Sequence, residues 1–310
     1  MSEEELRNQK QQQAEQALAE HNYVVAVPLF AELYEQHQTS RQNYLYVEAL
    51  AGTGQYETAL AVAQENINSY LAEDDRLIRY IHVAVFAGQG LIVTELLENI
   101  RSYMTEMESQ TIFAALQAET EVYQTQKQEQ LEQVKKKLQY LGLEQPLKQR
   151  AIAKQSRQLS KRDFLKAVQA ALVDENVHPL VRAAFLNDLR LLQVGQAINY
   201  LTFEHQQIQV MPNQLLALEE TQVYHAFEKM VAVKFERRVD LAQKVLDEIT
   251  LKLMLLYPIY DGIDSKLEQW YAIFLNDKVL LDQSETNKKL AEQLENSISE
   301  WEPGKKELKK

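Results

Sequence analysis

The sequence predicts an all-α protein, with helical repeats in the first half and a helical second half that holds one small β-hairpin. Three observations carry this. Apolar residues recur at helical spacing along most of the chain. Only 8 Gly and 6 Pro interrupt 310 residues, which argues against an all-β or turn-rich α/β design. A turn followed by a small residue returns after 33 and then 34 positions, the mark of stacked helix pairs.

The repeat is read first. Its turns are His21-Asn22-Tyr23, Gly54-Gln55-Tyr56 and Gly88-Gln89-Gly90. Ala26, Ala59 and Val93 follow them, and four residues further on stand Phe30, Ala63 and Leu97. In the preceding helices Ala14, Val47 and Ile81 share one equivalent position, and Ala17, Leu50 and Ala84 another. Small residues let paired helices approach closely, with the larger +4 residue on the same face. The predicted pairs are 4–20/23–37, 40–53/56–71 and 74–87/90–104. A fourth, 106–124/126–141, rests on Phe113, Leu116, Thr120 and Tyr123, then Leu131, Val134, Leu138 and Leu141. A generic antiparallel helix bundle shares this periodicity and stands as the other reading.

Beyond Pro146 the period is lost but helical spacing persists. Ser160 to Asp163 reads as a capping box ahead of Phe164, Val168 and Leu172. His178-Pro179 opens a helix to Leu192. Alternation over 197–211 predicts a hairpin with Glu204-His205 at its turn, closed by Pro212. Helices are predicted near 218–234, 237–257, 263–275 and 284–300, and the basic tail from Pro303 is predicted disordered.

Charge divides the chain. Residues 1–144 hold 22 acidic and 10 basic residues, so the whole net charge of −12 lies there, while the rest is balanced at 23 of each. The predicted domains are therefore 1–144, 145–302 and the 303–310 tail. An acidic first half disfavours nucleic acid as its partner. The acidic start lacks the basic and apolar pattern of a secretory signal, and the longest apolar cluster, Leu251 to Tyr260, contains Lys252 and Pro258. A cytoplasmic protein without membrane association is expected.

The phased copies resemble the tetratricopeptide repeat (TPR), an antiparallel helix pair repeating every 34 residues. Gly54-Gln55-Tyr56-Glu57-Thr58-Ala59 matches best. His21 replaces the turn glycine in the first copy and Val93 the alanine in the third, and no copy ends on the usual proline. The order of repeats, a helix at His178-Pro179-Leu180-Val181, a hairpin closing at Val210-Met211-Pro212 and paired C-terminal helices resembles an uncharacterised family of cytosolic TPR proteins from Gram-positive bacteria. That resemblance implies an architecture and a helper or interaction role, and offers no catalytic residues.

Enzyme chemistry lacks a constellation. Cysteine is absent, which removes thiol catalysis and Cys-ligated zinc. None of the six histidines (His21, His37, His82, His178, His205 and His225) pairs with another at i+4. Gly88-Gln89-Gly90 follows a helix, not a strand, so it reads as a repeat turn and not as a phosphate cradle. Asp261 with Asp264, and Glu73-Asp74-Asp75, read as loop and helix-start residues sooner than as metal ligands. No cofactor or metal is called for. The segment Lys148 to Arg162, with Arg150, Lys154, Arg157 and Lys161 and no acidic residue, reads either as a ribosome- or RNA-contacting face or as an internal counterpart of the acidic half. No aromatic residue interleaves it to stack on bases.

Repeat phase sets Gln11 and Glu15, then Arg41, Tyr44 and Glu48, then Ile78 and His82 on the face formed by the first helix of each pair. The Lys and Asn used to grip a C-terminal carboxylate are absent there. Glu15 and Glu48 are expected to make the face acidic and Tyr44 to anchor a basic or polar extended segment. Alternatively these residues face solvent, or the second half packs onto them. The leading reading is a non-enzymatic TPR adaptor for a protein or peptide. The rivals are a peptide-responsive regulator, which lacks a recognisable output domain, and a nucleic-acid- or ribosome-associated factor acting through 148–162.

Overall fold

A computed structural model describes residues 3–276, 281 and 284–301. The three aligned turns adopt one backbone geometry. His21, Gly54 and Gly88 take φ of 56°, 74° and 72°. In each, two hydrogen bonds close the preceding helix. Asn22 N–H reaches Ala17 C=O while His21 N–H reaches Leu18 C=O, Gln55 and Gly54 reach Leu50 and Ala51, and Gln89 and Gly88 reach Ala84 and Val85. This paired pattern is the Schellman helix ending, which needs a left-handed residue at the turn. Glycine adopts it freely; His21 does so against a steric penalty.

These turns join α1 (Glu3–Ala19) to α2 (Tyr23–Gln36), α3 (Ser40–Gly52) to α4 (Tyr56–Gln64), and α6 (Asp74–Phe86) to α7 (Gly90–Ile100). Every repeat-equivalent position is buried: Ala14, Val47 and Ile81; Ala17, Leu50 and Ala84; Ala26, Ala59 and Val93; Phe30, Ala63 and Leu97. The pattern is thus a set of equivalent helix–helix contacts. The helices α8 (Glu106–Gln126) and α9 (Gln128–Gln139) follow. A reciprocal capping box between Thr105 and Glu108 starts α8.

One predicted helix is broken. The segment 56–71 forms α4 and then a separate α5 (Ile67–Leu71). The buried Asn43 explains the interruption: its Nδ2 donates to the Val62 carbonyl at 2.6 Å and to the Tyr34 hydroxyl at 3.0 Å, and its Oδ1 accepts from the Tyr70 hydroxyl at 2.9 Å. Glu65 N–H turns back to the same Val62 carbonyl at 3.2 Å, tightening the helix end.

Two compact units result. Residues up to Glu132, with Arg157–Lys161, form one, and Gln133–Ser156, with the residues from Arg162 onward, form the other. The changeover falls inside α9, whereas the charge shift falls near Leu143–Pro146. Charge records surface composition, while compactness follows burial, and Val134, Leu138 and Leu141 are buried.

The second unit contains α10 (Pro146–Gln155), α11 (Lys161–Val168) from Arg162 onward, and α12 (Pro179–Leu191). Proline opens α12 and His178 Nδ1 accepts the Leu180 N–H at 3.2 Å. The hairpin pairs β1 (Ile198–Leu201) with β2 (Gln207–Val210), antiparallel, with Tyr200 opposite Ile208 and His205 at φ 60° in the turn. The helices α13 (Gln222–Lys234), α14 (Val239–Leu256), α15 (Leu267–Leu275) and α16 (Glu285–Trp301) follow. Phe227, Leu253, Phe274 and Leu294 are central to their core. Two buried cations are structural. Arg182 donates to the carbonyls of Leu201 and Asp174, each at 3.0 Å, and to that of Val177. Lys252 meets Glu248 at 3.0 Å, Glu295 at 3.1 Å and the Phe274 carbonyl. Among the described residues no helix is long and apolar enough to cross a membrane. The tail assigned to 303–310 lies outside the described residues.

Candidate functional site

The residues picked from repeat phase occupy successive first helices: Gln11 and Glu15 on α1, Arg41, Tyr44 and Glu48 on α3, Ile78 and His82 on α6. Arg41 is exposed and the other six are half-buried. Glu15, Glu48 and His82 are repeat equivalents, and each reaches across to the next first helix. Arg41 Nη2 donates to Glu15 Oε1 at 2.7 Å, and Glu15 also accepts from Gln11 Nε2 at 2.6 Å. Gln11 in turn accepts from Gln42 Nε2 at 3.0 Å. Glu48 pairs with Arg79 of α6. His82 Nδ1 lies 2.9 Å from Glu119 Oε2 of α8. A carboxylate can only accept, so that bond requires the proton on Nδ1.

The structure changes the electrostatic picture expected from sequence. Glu15 and Glu48 are not unopposed negative charges, because each faces an arginine from the following helix. Burial pushes the Glu48 carboxyl above its usual value, while Arg79 and the Tyr44 hydroxyl pull it back. Tyr44 is likewise not a bare apolar anchor. The Arg76 guanidinium lies 5.4 Å from its ring centroid, Tyr70 packs at 6.3 Å, and burial raises its hydroxyl pKa. Ile78 stands one turn before His82.

The ladder ends in a cleft of about 690 Å³ within the first unit. Tyr56, His82, Phe86 and Glu119 line it, with Glu57 and Lys127 among its other lining residues. Its rings form one cluster: Tyr56–Phe86 at 5.1 Å, His82–Phe86 at 4.6 Å and Tyr56–His82 at 5.6 Å, edge to face. Of these residues only His82 was picked from sequence. Tyr56 could have been found as the aromatic that follows the turn; Glu119 could not, because its position depends on the stacking of α8 on α6.

The other candidates separate. In the basic segment, Lys148 pairs with Glu144 at 2.7 Å and Lys161 with Glu98 at 2.6 Å, while Arg150 lies 5.0 Å over the Trp301 ring. Lys148 and Lys161 of the segment are thus answered by carboxylates within the chain. In the second unit a cleft of about 380 Å³ is lined by Tyr257, Tyr260, Asp261 and Asp264. Burial pushes the Tyr257 hydroxyl up to about 12. Among the described residues no group of three or more His, Asp or Glu is placed to hold a metal ion. Comparison with known proteins matches the chain to no family, no curated protein and no solved structure.

Proposed function

We propose that the protein is a non-enzymatic scaffold of the TPR type, acting in the cytoplasm, that binds an extended basic or polar segment of a protein partner along its first-helix face. The observation that supports this is the ladder itself. Three equivalent residues, Glu15, Glu48 and His82, reach successive helices, and the strip they make opens into a cleft with aromatic and acidic lining. Such a strip offers alternating donors and acceptors over several turns, suited to an extended chain, with an apolar recess for one anchoring side chain.

The test is capture of a partner by the purified full chain, repeated with Tyr44→Ala/Arg41→Ala. Glu48 is left intact because a cation there would face Arg79. Loss of capture is expected, with helicity and a cooperative melt retained although the contacts of Tyr44 with Tyr70 and Arg76 are given up. Full retention would overturn the assignment of this face.

A further inference from the structure

We propose that the cleft at Tyr56, His82, Phe86 and Glu119 is a receptor for a cationic side chain, an arginine in particular, presented by the partner's extended segment. This rests on the adaptor reading and names the anchor residue that reading leaves open.

The argument comes from the ladder's own chemistry. In its first two rungs a glutamate on one helix meets an arginine from the next: Glu15 with Arg41, Glu48 with Arg79. The second rung adds an aromatic ring, with the Arg76 guanidinium 5.4 Å from the Tyr44 centroid. Arg76 also meets Glu73 at 3.1 Å, so one guanidinium beside this rung already has a carboxylate and an aromatic ring together, while the neighbouring Arg79 takes Glu48. In the third rung the polarity reverses. The carboxylate moves to the following helix as Glu119, and His82 stands where the glutamates stood. Both retain about a quarter of their side-chain surface, 24% for His82 and 27% for Glu119. The aromatic component is larger here, since Tyr56, His82 and Phe86 are in mutual contact. The carboxylate and rings line open volume instead of an internal arginine.

The same departure from the repeat accounts for the aromatic lining. Tyr23, equivalent to Tyr56, packs over Gly52, where an added Cβ would sit 2.3 Å from its ring. Gly52 is equivalent to Phe86. At Tyr56 the glycine is replaced by a ring, so the aromatic cluster is built at this rung and not at the preceding one. The acidic composition of residues 1–144 favours approach of a cation. Lys127, among the lining residues, opposes it and sets a limit on affinity.

The experiment uses the full chain labelled at histidine Cε1, with the His82 resonance assigned by its loss in His82→Gln. The probe is a capped Gly-Arg-Gly-Arg-Gly-Arg-Gly peptide, with glutamate replacing arginine as the control. A saturable shift of His82 with the arginine peptide only is expected. Glu119→Gln, which preserves shape, should weaken it about tenfold and Tyr56→Leu at least about threefold, while Lys127→Gln tightens it. No saturable shift, or equal binding by wild type and Glu119→Gln, overturns the cation receptor. This titration needs no partner protein, so it fails separately from the capture test. Capture lost in Tyr44→Ala/Arg41→Ala with no peptide shift refutes the receptor alone, and a specific shift with capture retained refutes the assigned face alone.

Discussion

Replacing Asn43 with leucine should destabilise the first unit by about 2–4 kcal/mol. Asn43 has no exposed surface, and its amide joins Tyr34, Val62 and Tyr70. Leucine is close in size and fills the space, so the cost is polar. Two of the three partners keep a bond: the Tyr34 hydroxyl still donates to Glu65 at 2.7 Å, and the Val62 carbonyl still accepts from Glu65 N–H at 3.2 Å. The Tyr70 hydroxyl, on a fully buried side chain, has no other acceptor in that triad. An orphaned buried donor costs about 1–3 kcal/mol, and two lost ordinary bonds add about 0.5–1.5 kcal/mol each, offset in part by the apolar gain of leucine.

The double variant separates this account from simple loss of packing. Tyr70→Phe alone leaves Asn43 Oδ1 without its donor, whereas Tyr70→Phe with Asn43→Leu leaves neither half orphaned. The pair should therefore cost about 1–2 kcal/mol less than the sum of the single changes. Urea unfolding followed by far-ultraviolet circular dichroism measures all three. Strict additivity, or an Asn43→Leu cost below about 0.5 kcal/mol, would refute the reasoning.

Two further outcomes follow from single residues. His21→Gly should raise stability by roughly 0.5–1 kcal/mol, since it relieves a side chain held at φ 56° and gives up an exposed bond to the Tyr23 hydroxyl and a ring contact with Tyr23 at 5.8 Å. A lower melting temperature would count against a left-handed turn there. His178 carries a pH dependence. Burial holds its pKa below the usual value, outweighing the Ser297 carbonyl and Glu300, while Arg182 pushes in the same direction as burial. The unfolded chain then takes up the proton first, so this contribution is complete above about pH 6.5 and is lost as pH falls toward the lower native value. His178→Asn retains a good helix cap and removes the titration, so its melting temperature should fall less between about pH 7.5 and 5.5. An identical slope in both proteins would show that His178 does not contribute.

The repeat was legible because its information is local. Buried positions recur within each helix pair, and the turn fixes the register, so phase could be read even where His21 replaces glycine. The split of 56–71 into two helices was not legible. It depends on Asn43, which lies 19 residues before the carbonyl it captures. The candidate face divides the same way. Repeat phase placed Glu15, Glu48 and His82 at equivalent points, but their partners lie 26, 31 and 37 residues onward. No fixed spacing links the rungs, because each bond is made between helices whose offset is set by packing. Arg79 and Glu119 therefore carry no signature, while the residues they bind do.

Internal pairing along the ladder also separates attraction from specificity. Because Arg41 and Arg79 oppose Glu15 and Glu48, the first half's negative charge acts mainly through exposed carboxylates away from these rungs. Over a Debye length of about 8 Å that excess can draw a basic segment toward the unit without choosing where it settles. Choice requires groups whose contacts are improved by one kind of side chain. The first two rungs already hold their own arginines, so a cation arriving there must displace one and gains little. At the third rung the glutamate of the earlier rungs is replaced by a histidine, its partner is the Glu119 carboxylate instead of an arginine, and the glycine of the preceding repeat is replaced by a phenylalanine. With both positions changed at one rung, that rung differs in side-chain chemistry while the buried positions of the helix pairs stay equivalent. The discrimination of the face is therefore expected at Glu119 and its ring cluster, and the attraction in the unit as a whole.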